Sequence, residues 1–519
     1  MFRFFSVLSS FIFCFFSASS SAQLPLDEAT LEQTINRALH EFNTPGMAVG
    51  IVKNQEVIFA KGFGTASIES ATQVKPSTLF RIGSLSKAFT ASGLAILVDQ
   101  GKLNWDDKVQ TYLPNFALYS AYVSKNFTVL DLLTHKSGLA SGAGDSMIWP
   151  EPSGFSRQEV VHNLRYLSPQ YGFRAQYAYS NVLYITAGEL IEKISGLAFE
   201  KFIDTHIFAP LDMNCFAGDI PKQNLPHVAL AYGYNDARGI YPIPRNSASE
   251  KGIMASAAGG IVCDLDSMNK WAKAWLNVNT LPVSEQSYKV MTSGHTVLSV
   301  SDEEQNWDMT LFKQYGLGWR LSNIGHLATI SHTGTISGYQ SYLLLVPQLD
   351  LGIVILNNGS NSAARGSVMQ TIVKAFIADA GIAMSKHNDW INTYLEYLDE
   401  KEADYLRKYE APVAQGPMLI SDKDILGVFK DAWFGNLRIQ QGNGHIRISS
   451  DRMLTLKGKL LPFAGTSYKI EWDNKNAASD AFIHFTVNNQ SKVVSATLHP
   501  FTAKQRENHT YRDMLFYKQ

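Results

Sequence analysis

A serine and a lysine with two residues between them give the strongest chemical signal in this 519-residue sequence. Ser84 stands at a predicted helix start, and Lys87 follows one turn later on the same helix face. A serine hydroxyl is a poor nucleophile at neutral pH, so it needs a nearby base. Free backbone N–H groups at a helix start also favour negative charge on Ser84 or on a bound oxyanion. The pair therefore predicts covalent chemistry at Ser84.

The same spacing occurs a second time, at Ser267 and Lys270. Apolar residues near Ser267 follow a helical stripe and the serine lies among polar residues, which predicts a surface helix. Residues 88–98, after Ser84, are apolar on nearly every side and predict a helix through the middle of a domain. A lysine buried on such a helix needs a purpose, because burying an unpaired charge is costly. These differences favour Ser84 as the reactive serine.

The elements that must position Ser84 come from distant parts of the chain. A mainly helical region runs from Ser84 to about residue 290 and is interrupted by loops such as 136–156. Before it, we predict a helix at 28–43 and a hairpin of strands 48–52 and 57–60. After it, we predict strands at 328–331, 340–346 and 351–356 and a helix at 363–380. We therefore predict an α/β (α+β) fold, with one sheet closed by distant segments, flanking helices and a helical insertion.

The C-terminal region has a different periodicity. A charged helix over about 386–408 is followed by the chain breakers Pro412 and Pro417. Apolar residues then alternate with polar ones, and an antiparallel pairing is expected of Leu437 and Ile439 with Ile446 and Ile448. We predict a catalytic domain at 23–385, a helical connector and linker at 386–418, and an antiparallel β-barrel at 419–519 that supplies no catalytic group.

Residues 1–22 have the composition of a signal peptide. Arg3 precedes an apolar run broken by serines, and small residues end at Ala22. The run is shorter than the roughly 20 apolar residues of a spanning helix. We expect cleavage near Ala22 and an exported protein, periplasmic or secreted, with no stable membrane span after cleavage.

Charge, histidine and cysteine content exclude several classes of function. The formal net charge is -1, from 45 basic and 46 acidic residues, which argues against nucleic acid as a partner. No metal-binding spacing occurs among the 13 histidines, and we expect neither a metal nor an organic cofactor. Cys215 and Cys263 remain after cleavage. A disulfide between them is allowed, but two buried thiols are the favoured interpretation.

Two further short motifs follow in order, Tyr179-Ser180-Asn181 and His332-Thr333-Gly334. With Ser-x-x-Lys at Ser84 and Lys87, this order resembles the serine β-lactamase and penicillin-binding protein superfamily over about residues 28–380. It is most similar to class C β-lactamases and to their peptidase and esterase relatives, the peptidases of the S12 type. Lys136-Ser137-Gly138 imitates a lysine version of the third motif, but it precedes Tyr179 and the chain order rejects it.

The resemblance implies a role for each motif residue. Ser84 would be the acylated nucleophile, and Lys87 and Tyr179 the pair that handles protons. The backbone N–H groups of Ser84 and Thr335 would form the oxyanion hole. Substrate binding would fall to the residues Asn181, His332, Thr333 and Gly334, with Asn181 holding the substrate's amide.

The sequence departs from the family pattern in two places. His332 stands where many relatives have lysine, and imidazole is mostly neutral above a pKa of about 6.5. The C-terminal domain is lacking in plain class C enzymes, and the combination resembles serine peptidases with a lipocalin-like barrel that act on peptides containing D-residues. We therefore expect a hydrolase that forms an acyl-enzyme with a small peptide, ester or β-lactam-like substrate. A penicillin-binding receptor that does not turn over, a class C-like β-lactamase and a homo-oligomeric assembly remain open.

Overall fold

The fold is described from a computed structural model of the chain. It covers residues 23–244, 254–383, 389–408, 412–442, 444–474, 480–501 and 511–519. The predicted signal peptide at 1–22 lies outside the described residues, as do the first residues of the predicted connector, its residues 409–411 and position 443 of the predicted hairpin turn. No helix within the described ranges is long and apolar enough to cross a membrane.

A nine-stranded antiparallel sheet forms the centre of the catalytic part. Its strands, in spatial order, are Thr72–Gln73, Glu56–Ser67, Gly46–Lys53, Leu351–Asn357, Tyr339–Val346, Leu327–Ile336, Arg320–Ile324, Lys313–Tyr315 and Thr296–Val297. The first hairpin of the chain joins the last strands through the pairing of Gly46–Lys53 with Leu351–Asn357. The prediction of one sheet closed by distant segments, with the helical region inserted, is confirmed.

Helices cover both faces of the sheet. One face is covered by Glu28–Glu41 and Ser362–Asp379, against which Trp390–Lys408 packs. Asp27 caps the first of these helices, as predicted. The inserted helices on the other side are Ser86–Asp99, Val109–Tyr112, Ala121–Asn126, Val129–Leu133, Arg157–Asn163, Asn181–Ser195, Phe199–Ile203, Leu265–Leu276 and Glu285–Met291. Helix Asp302–Asp308 instead contacts Ser362–Asp379 and Trp390–Lys408.

The helix that carries the second Ser-x-x-Lys pair is not the surface helix that the sequence predicts. Helix Leu265–Leu276 packs on the central sheet, and Trp271 and Trp275 are fully buried. Ser267 is also buried, and its hydroxyl accepts a hydrogen bond from the Asn214 N–H at 2.7 Å. The periodicity was correctly helical, but the polar positions face other protein elements, so polarity alone did not indicate exposure.

A small three-stranded sheet leads into the Ser84 turn and carries a disulfide. Its strands are Phe80–Arg81, Val262–Cys263 and Cys215–Phe216, with the two cysteines directly opposite each other. Cys215 and Cys263 form a disulfide bond, so the favoured interpretation of two free thiols is wrong. Strand pairing brings together residues that are 48 positions apart in sequence, and sequence spacing could not reveal this.

The C-terminal region forms a closed antiparallel barrel. Its strands follow one another in space as they do in sequence: Gly427–Asp431, Gly435–Gln441, Ile446–Ser450, Lys457–Ala464, Ser467–Trp472, Ala481–Val487, Val493–Pro500 and Phe516–Lys518. The predicted hairpin forms, but with Ile439 opposite Ile448 and Leu437 opposite Ser450, so its register differs from an antiparallel pairing of Leu437 with Ile448 and of Ile439 with Ile446. A closed barrel with this neighbour order has no exposed sheet edge, and the predicted β-barrel is confirmed.

Candidate active site

The backbone turns sharply just before Ser84. Residues Gly83–Leu85 form a turn of 3-10 helix, which continues into the α-helix Ser86–Asp99. Gly83 has a φ angle of 53°, and a Cβ atom on it would lie 2.8 Å from the Thr335 nitrogen. Glycine permits both the left-handed conformation and this close approach. Ser84 is thereby held next to Thr335 and stays partly exposed.

Lys87 is fully buried and joins two of the predicted motifs. Its Nζ lies 3.2 Å from the Ser84 Oγ and donates hydrogen bonds to the Asn181 Oδ1 at 2.8 Å and to the Ala258 carbonyl at 2.6 Å. The structure therefore places the lysine against the serine that the sequence pairs with it.

The protonation of Lys87 follows from its surroundings. Burial depresses the pKa of Lys87 well below its ordinary value; the Asp145 carboxyl opposes this shift and Arg320 reinforces it. A buried amine with a depressed pKa loses its proton at a lower pH than an exposed lysine does. Lys87 is thus suited to accept the proton of the Ser84 hydroxyl.

Tyr179 is the third residue beside Ser84 and Lys87, and it lies two positions before the start of helix Asn181–Ser195. The Lys87 Nζ lies 4.7 Å from the centre of the Tyr179 ring. Among the described residues, no group forms a hydrogen bond of normal geometry with the buried Tyr179 hydroxyl. Burial raises the pKa of Tyr179, and Arg320 and the nearby Ser84 hydroxyl only partly oppose the shift. The phenol therefore stays protonated at neutral pH.

The Thr335 nitrogen lies beside the turn that carries Ser84. The Ser84 N–H belongs to the first turn of a helical segment, where N–H groups lack a partner within the helix. Thr335 lies opposite Gln340 one step from a two-residue hairpin turn, and hydrogen bonding alternates along such a ladder. The Thr335 N–H consequently points away from its hairpin partner and toward Gly83, so the backbone has the layout of an oxyanion hole.

The sequence predicts that His332 binds substrate, but the structure places its side chain in the protein interior. It is 1% exposed, with its Nε2 at 3.1 Å from the Tyr315 hydroxyl and its Nδ1 at 2.8 Å from the Thr333 carbonyl. Burial lowers the pKa of His332 well below its usual value, and Arg320 and Lys87 add to the shift. A neutral, enclosed imidazole orients the strand and its tyrosine neighbour but does not present a charge to the cleft.

Arg320 supplies the positive charge that His332 lacks, and no motif or spacing in the sequence pointed to it. Its Nη1 donates to the Thr333 hydroxyl at 2.9 Å, and both residues remain partly exposed. Burial acts to lower the pKa of Arg320, but the neighbouring Tyr177 and Tyr179 hydroxyls help to shift it upward overall, so the charge is permanent. Among the described residues no carboxylate lies within 4.0 Å of the guanidinium. Arg320, Thr333 and Tyr177 also line an adjoining cavity of about 570 Å³.

Asp145 and His135 are two further residues that the sequence analysis did not single out. The Asp145 carboxylate accepts a hydrogen bond from the Asn181 Nδ2 at 3.0 Å. His135 lies beneath Tyr179, with 4.3 Å between ring centres, and its Nδ1 accepts from the Ser180 N–H at 3.1 Å. Asp145 belongs to a region recognised only as a loop, and no spacing rule connects it with Asn181. Lys136, in the rejected third motif, instead donates to the His295 carbonyl.

Every residue named for the site comes from the catalytic part of the chain. Gly334 has a structural role, because a Cβ atom on it would lie 1.9 Å from the Ile82 carbonyl oxygen.

Within the described ranges, no group of three histidine, cysteine, aspartate or glutamate residues is arranged to hold a metal ion.

Two family models match parts of this chain. The family model described as "Beta-lactamase" matches residues 31–375, and a second, described as "Domain of unknown function (DUF3471)", matches residues 423–513. The chain is similar in fold to the octameric penicillin-binding protein homologue from Pyrococcus abyssi, with a TM-score of 0.60 and 21% identity, over 95% of this chain and 100% of that one.

Curated relatives are similar over most of the same region. The chain is 29% identical to "Unguisins hydrolase ungD'" of Aspergillus campestris over 73% of its own length and 70% of that protein. It is 26% identical to "Protein flp" of Staphylococcus aureus over 63% of its own length and 62% of that protein. The first family model spans well over half of the chain and includes the Ser84, Tyr179 and His332 motifs. We conclude that the chain is a serine hydrolase that belongs to the β-lactamase family.

Proposed function

We propose that the protein is an exported hydrolase that cleaves an amide or ester bond in a small peptide-like substrate through a covalent acyl-enzyme on Ser84. The observation that carries this proposal is the 3.2 Å distance between the Lys87 Nζ and the Ser84 Oγ, in surroundings that depress the pKa of the lysine. A base of this kind is what an alcohol nucleophile requires.

Acylation uses the groups already in contact. The neutral Lys87 amine takes the Ser84 proton as Oγ forms a bond to the substrate carbonyl carbon. The carbonyl oxygen becomes an oxyanion and accepts hydrogen bonds from the Ser84 and Thr335 N–H groups, each worth a few kcal/mol, about 2.7–4, in the transition state. When the intermediate collapses, the bond to the leaving group breaks. The protonated Tyr179 gives that group its proton and is reprotonated from Lys87.

Deacylation repeats these steps with water in place of Ser84. The neutral Lys87 amine takes a proton from the water through the Tyr179 hydroxyl, which gives its own proton to Lys87 and takes up the water's, as the water oxygen attacks the acyl carbonyl. Collapse of the second oxyanion breaks the bond to the Ser84 Oγ, which takes its proton back from Lys87, and the acid product leaves. Asn181 donates to or accepts from the substrate's amide, and its position is fixed by Lys87 on one side and Asp145 on the other.

Arg320 supports the choice of a substrate with a carboxylate beyond the scissile bond. Arg320 and the Thr333 hydroxyl are joined by a hydrogen bond and face the cleft and its side cavity. A guanidinium with no protein carboxylate beside it forms strong charge-assisted hydrogen bonds with an incoming carboxylate. Peptides and opened or intact β-lactams carry such a group, whereas simple esters do not.

Export and assembly belong to the same proposal. The signal-like composition of residues 1–22 supports export to the periplasm or the medium. The similar Pyrococcus abyssi protein is described as octameric, which supports a homo-oligomer here. Two relatives are named as hydrolases of unguisins, which is in keeping with an amide or ester substrate.

A labelling and turnover experiment tests the proposal. Ser84→Ala should abolish labelling by a fluorophosphonate and turnover of a chromogenic ester. Ser267→Ala is the matched control, because Ser267 has the same motif spacing but lies in a structural helix, and it should be labelled like the wild type. Full activity in Ser84→Ala would refute the mechanism. A stable adduct without product release would favour a receptor, and rapid turnover confined to penicillins would favour a β-lactamase.

A further inference from the structure

Asp145 is an acidic group inside the cleft that the acyl-transfer steps do not use. It lies in the turn Asp145–Met147 on the loop that precedes helix Arg157–Asn163. The Asn181 Nδ2 donates to its two carboxylate oxygens at 3.3 and 3.0 Å. The residue is partly exposed, although its carboxylate is surrounded closely enough for burial to act on its pKa.

Asp145 interacts with the charge of Lys87 but forms no direct ion pair with a cation in the described part of the chain. Among the described residues, no lysine, arginine or histidine nitrogen lies within 4.0 Å of its carboxylate oxygens. Its one side-chain donor is a neutral amide, and an ionised carboxylate can accept about four hydrogen bonds. Lys87 is the nearest source of positive charge, but its Nζ is occupied by Ser84, Asn181 and Ala258. Burial raises the pKa of Asp145 to about 7, in keeping with an unpaired acid.

The loop holds Asp145 in this position from both sides. The Gly142 N–H donates to the Tyr179 carbonyl at 2.8 Å, which ties the loop to the catalytic tyrosine. Gly144 has a φ angle of 81°, and a Cβ atom there would lie 3.0 Å from Leu167. On the other side the Ser146 hydroxyl accepts from the Tyr511 N–H of the barrel at 3.5 Å. A carboxylate that is fixed in a partly exposed residue, with acceptor positions that Asn181 leaves free, can bind a cationic ligand.

We propose that Asp145 is a specificity-determining residue that binds an ammonium group on the acyl part of the substrate. The inference rests on the proposed function of Ser84. Asn181 is the residue expected to hold the substrate's amide, and Asp145 lies directly against it. An ammonium group near that amide, either the α-amine of the acyl residue or an amine on its side chain, would donate to the oxygen positions that Asn181 leaves free. The pairing would supply the charge that the protein withholds.

A purely positioning role for Asp145 makes a different prediction. If the carboxylate only oriented Asn181, its loss would slow every substrate that uses Asn181, charged or neutral. If it binds an ammonium group, its loss would slow only substrates that carry one. Asparagine is the appropriate replacement, because its Oδ1 can still accept from the Asn181 Nδ2 while the charge is removed.

The experiment compares three thioesters or p-nitrophenyl esters with the same leaving group: alanyl, N-acetylalanyl and N-acetyl-lysyl. In the wild type, kcat/KM for at least one of the two amines should exceed that for N-acetylalanine about 10- to 100-fold, the range for hydrogen bonds to a charged group. Asp145→Asn should remove this preference, so that kcat/KM for the amines and for N-acetylalanine comes within about threefold of one another, whatever change the three esters share. Asp106→Asn, at an exposed carboxylate outside the site, is the control and should keep the preference.

Failure of this inference is distinguishable from failure of the proposed function. Equal rates for all three esters in the wild type, or an amine preference that survives in Asp145→Asn, would overturn the role of Asp145 while leaving Ser84 chemistry intact. Loss of all hydrolysis in Ser84→Ala, together with lost labelling, tests the function separately. If Asp145→Asn fails to fold, competitive inhibition of the wild type by alanine amide against N-acetylalanine amide provides the same test. Stronger inhibition by the amine supports the proposal, and equal inhibition refutes it.

Discussion

The two walls of the cleft around Ser84 carry opposite charges and are held in different ways. The sheet wall presents Arg320 and Thr333, which lie on paired strands of the central sheet. The helical wall presents Asn181 and Asp145, of which the first starts a helix and the second lies on a loop. Backbone hydrogen bonds along the ladder fix the residues of the sheet wall. Individual contacts fix the loop of the helical wall.

The C-terminal barrel contacts the loop that carries Asp145 and the helix that follows this loop. The Gly154 N–H donates to the Arg452 carbonyl at 2.9 Å, and the Arg452 guanidinium pairs with Glu159 at 2.6 Å and covers the Phe155 ring at 4.4 Å. Arg320 is therefore positioned by strand pairing within the catalytic part, whereas the loop of Asp145 is also contacted by the barrel. The barrel therefore contributes to the site through the helical wall, although it adds no group to the reaction.

The largest expected effect is a loss of acylation that does not depend on which wall of the cleft binds the substrate. Lys87→Ala should lower the acylation rate at least a hundredfold, within the roughly 10²–10⁴ that positioned acid–base groups contribute. The loss should be similar for anionic, cationic and neutral substrates, because Lys87 acts on Ser84 and not on a substrate charge. Single-turnover acylation measures it, with Lys289→Ala as the control, because Lys289 is an exposed lysine outside the site. A loss confined to one class of substrate would assign Lys87 to binding.

A smaller effect should single out the sheet wall. Arg320→Ala should reduce kcat/KM about 10- to 100-fold for a peptide with a free carboxylate, since it removes a charge-assisted hydrogen bond. The methyl ester of the same peptide should change little. Lys313→Ala is the matched control, because Lys313 lines the same cavity but is already paired with Glu304. Equal losses for acid and ester would show that Arg320 supports the structure instead of binding the carboxylate.

The same pair of substrates sharpens the role of His332. Because the pKa of His332 is lowered well below 6.5, the preference for the free acid over its methyl ester should stay constant between about pH 6 and 8. Protonation of Asp145 in this range would affect both substrates through the same wall, so the ratio isolates His332. A preference that strengthens as the pH falls toward 6 would instead mean that His332 becomes charged and binds the acid.

A further prediction concerns the stability of the helical wall. The pKa of Asp145 is raised to about 7 from its ordinary value of 3.8, mainly by burial, while Asn181 and Lys87 oppose the shift. Between about pH 4 and 7 the folded protein keeps a proton that the unfolded chain has released, so this group's contribution to stability is lost as the pH rises. Asp145→Asn should therefore be more stable than the wild type at pH 8, by on the order of 2 kcal/mol, and similar to it near pH 4. Denaturant unfolding at the two pH values measures the difference, and a pH-independent gap would contradict it.

The smallest expected effect tests whether the barrel supports the loop. Arg452→Ala should lower the free energy of unfolding by about 0.5–1 kcal/mol, since its ion pair is partly exposed and its cation–π contact adds little more. It should also weaken any amine preference and leave the carboxylate preference unchanged. Arg438→Ala is the matched control, because Arg438 pairs with Asp451 on the barrel itself. Equal effects of the two variants on substrate preference would show that the contact between Arg452 and the loop does not influence the site.

The sequence determined the elements and the reactive centre. Helix periodicity after Ser84, the apolar runs at both ends of the catalytic region and the alternation beyond residue 420 predicted the fold, because each depends on residues that are close in sequence. The spacing of Ser84 and Lys87 is likewise local, and the structure finds the two side chains 3.2 Å apart. The motif order predicted which distant segments would meet, and Asn181 does reach Lys87.

Only the tertiary structure decided which charges face the cleft. Arg320 meets Thr333 through strand pairing, Asp145 meets Asn181 through the path of a loop, and Cys215 meets Cys263 across a small sheet. Burial, which neutralises His332 and depresses the pKa of Lys87, is a property of the assembled core and not of either residue. Contacts between residues far apart in sequence, and the low dielectric that folding creates around them, have no local pattern from which they could be predicted.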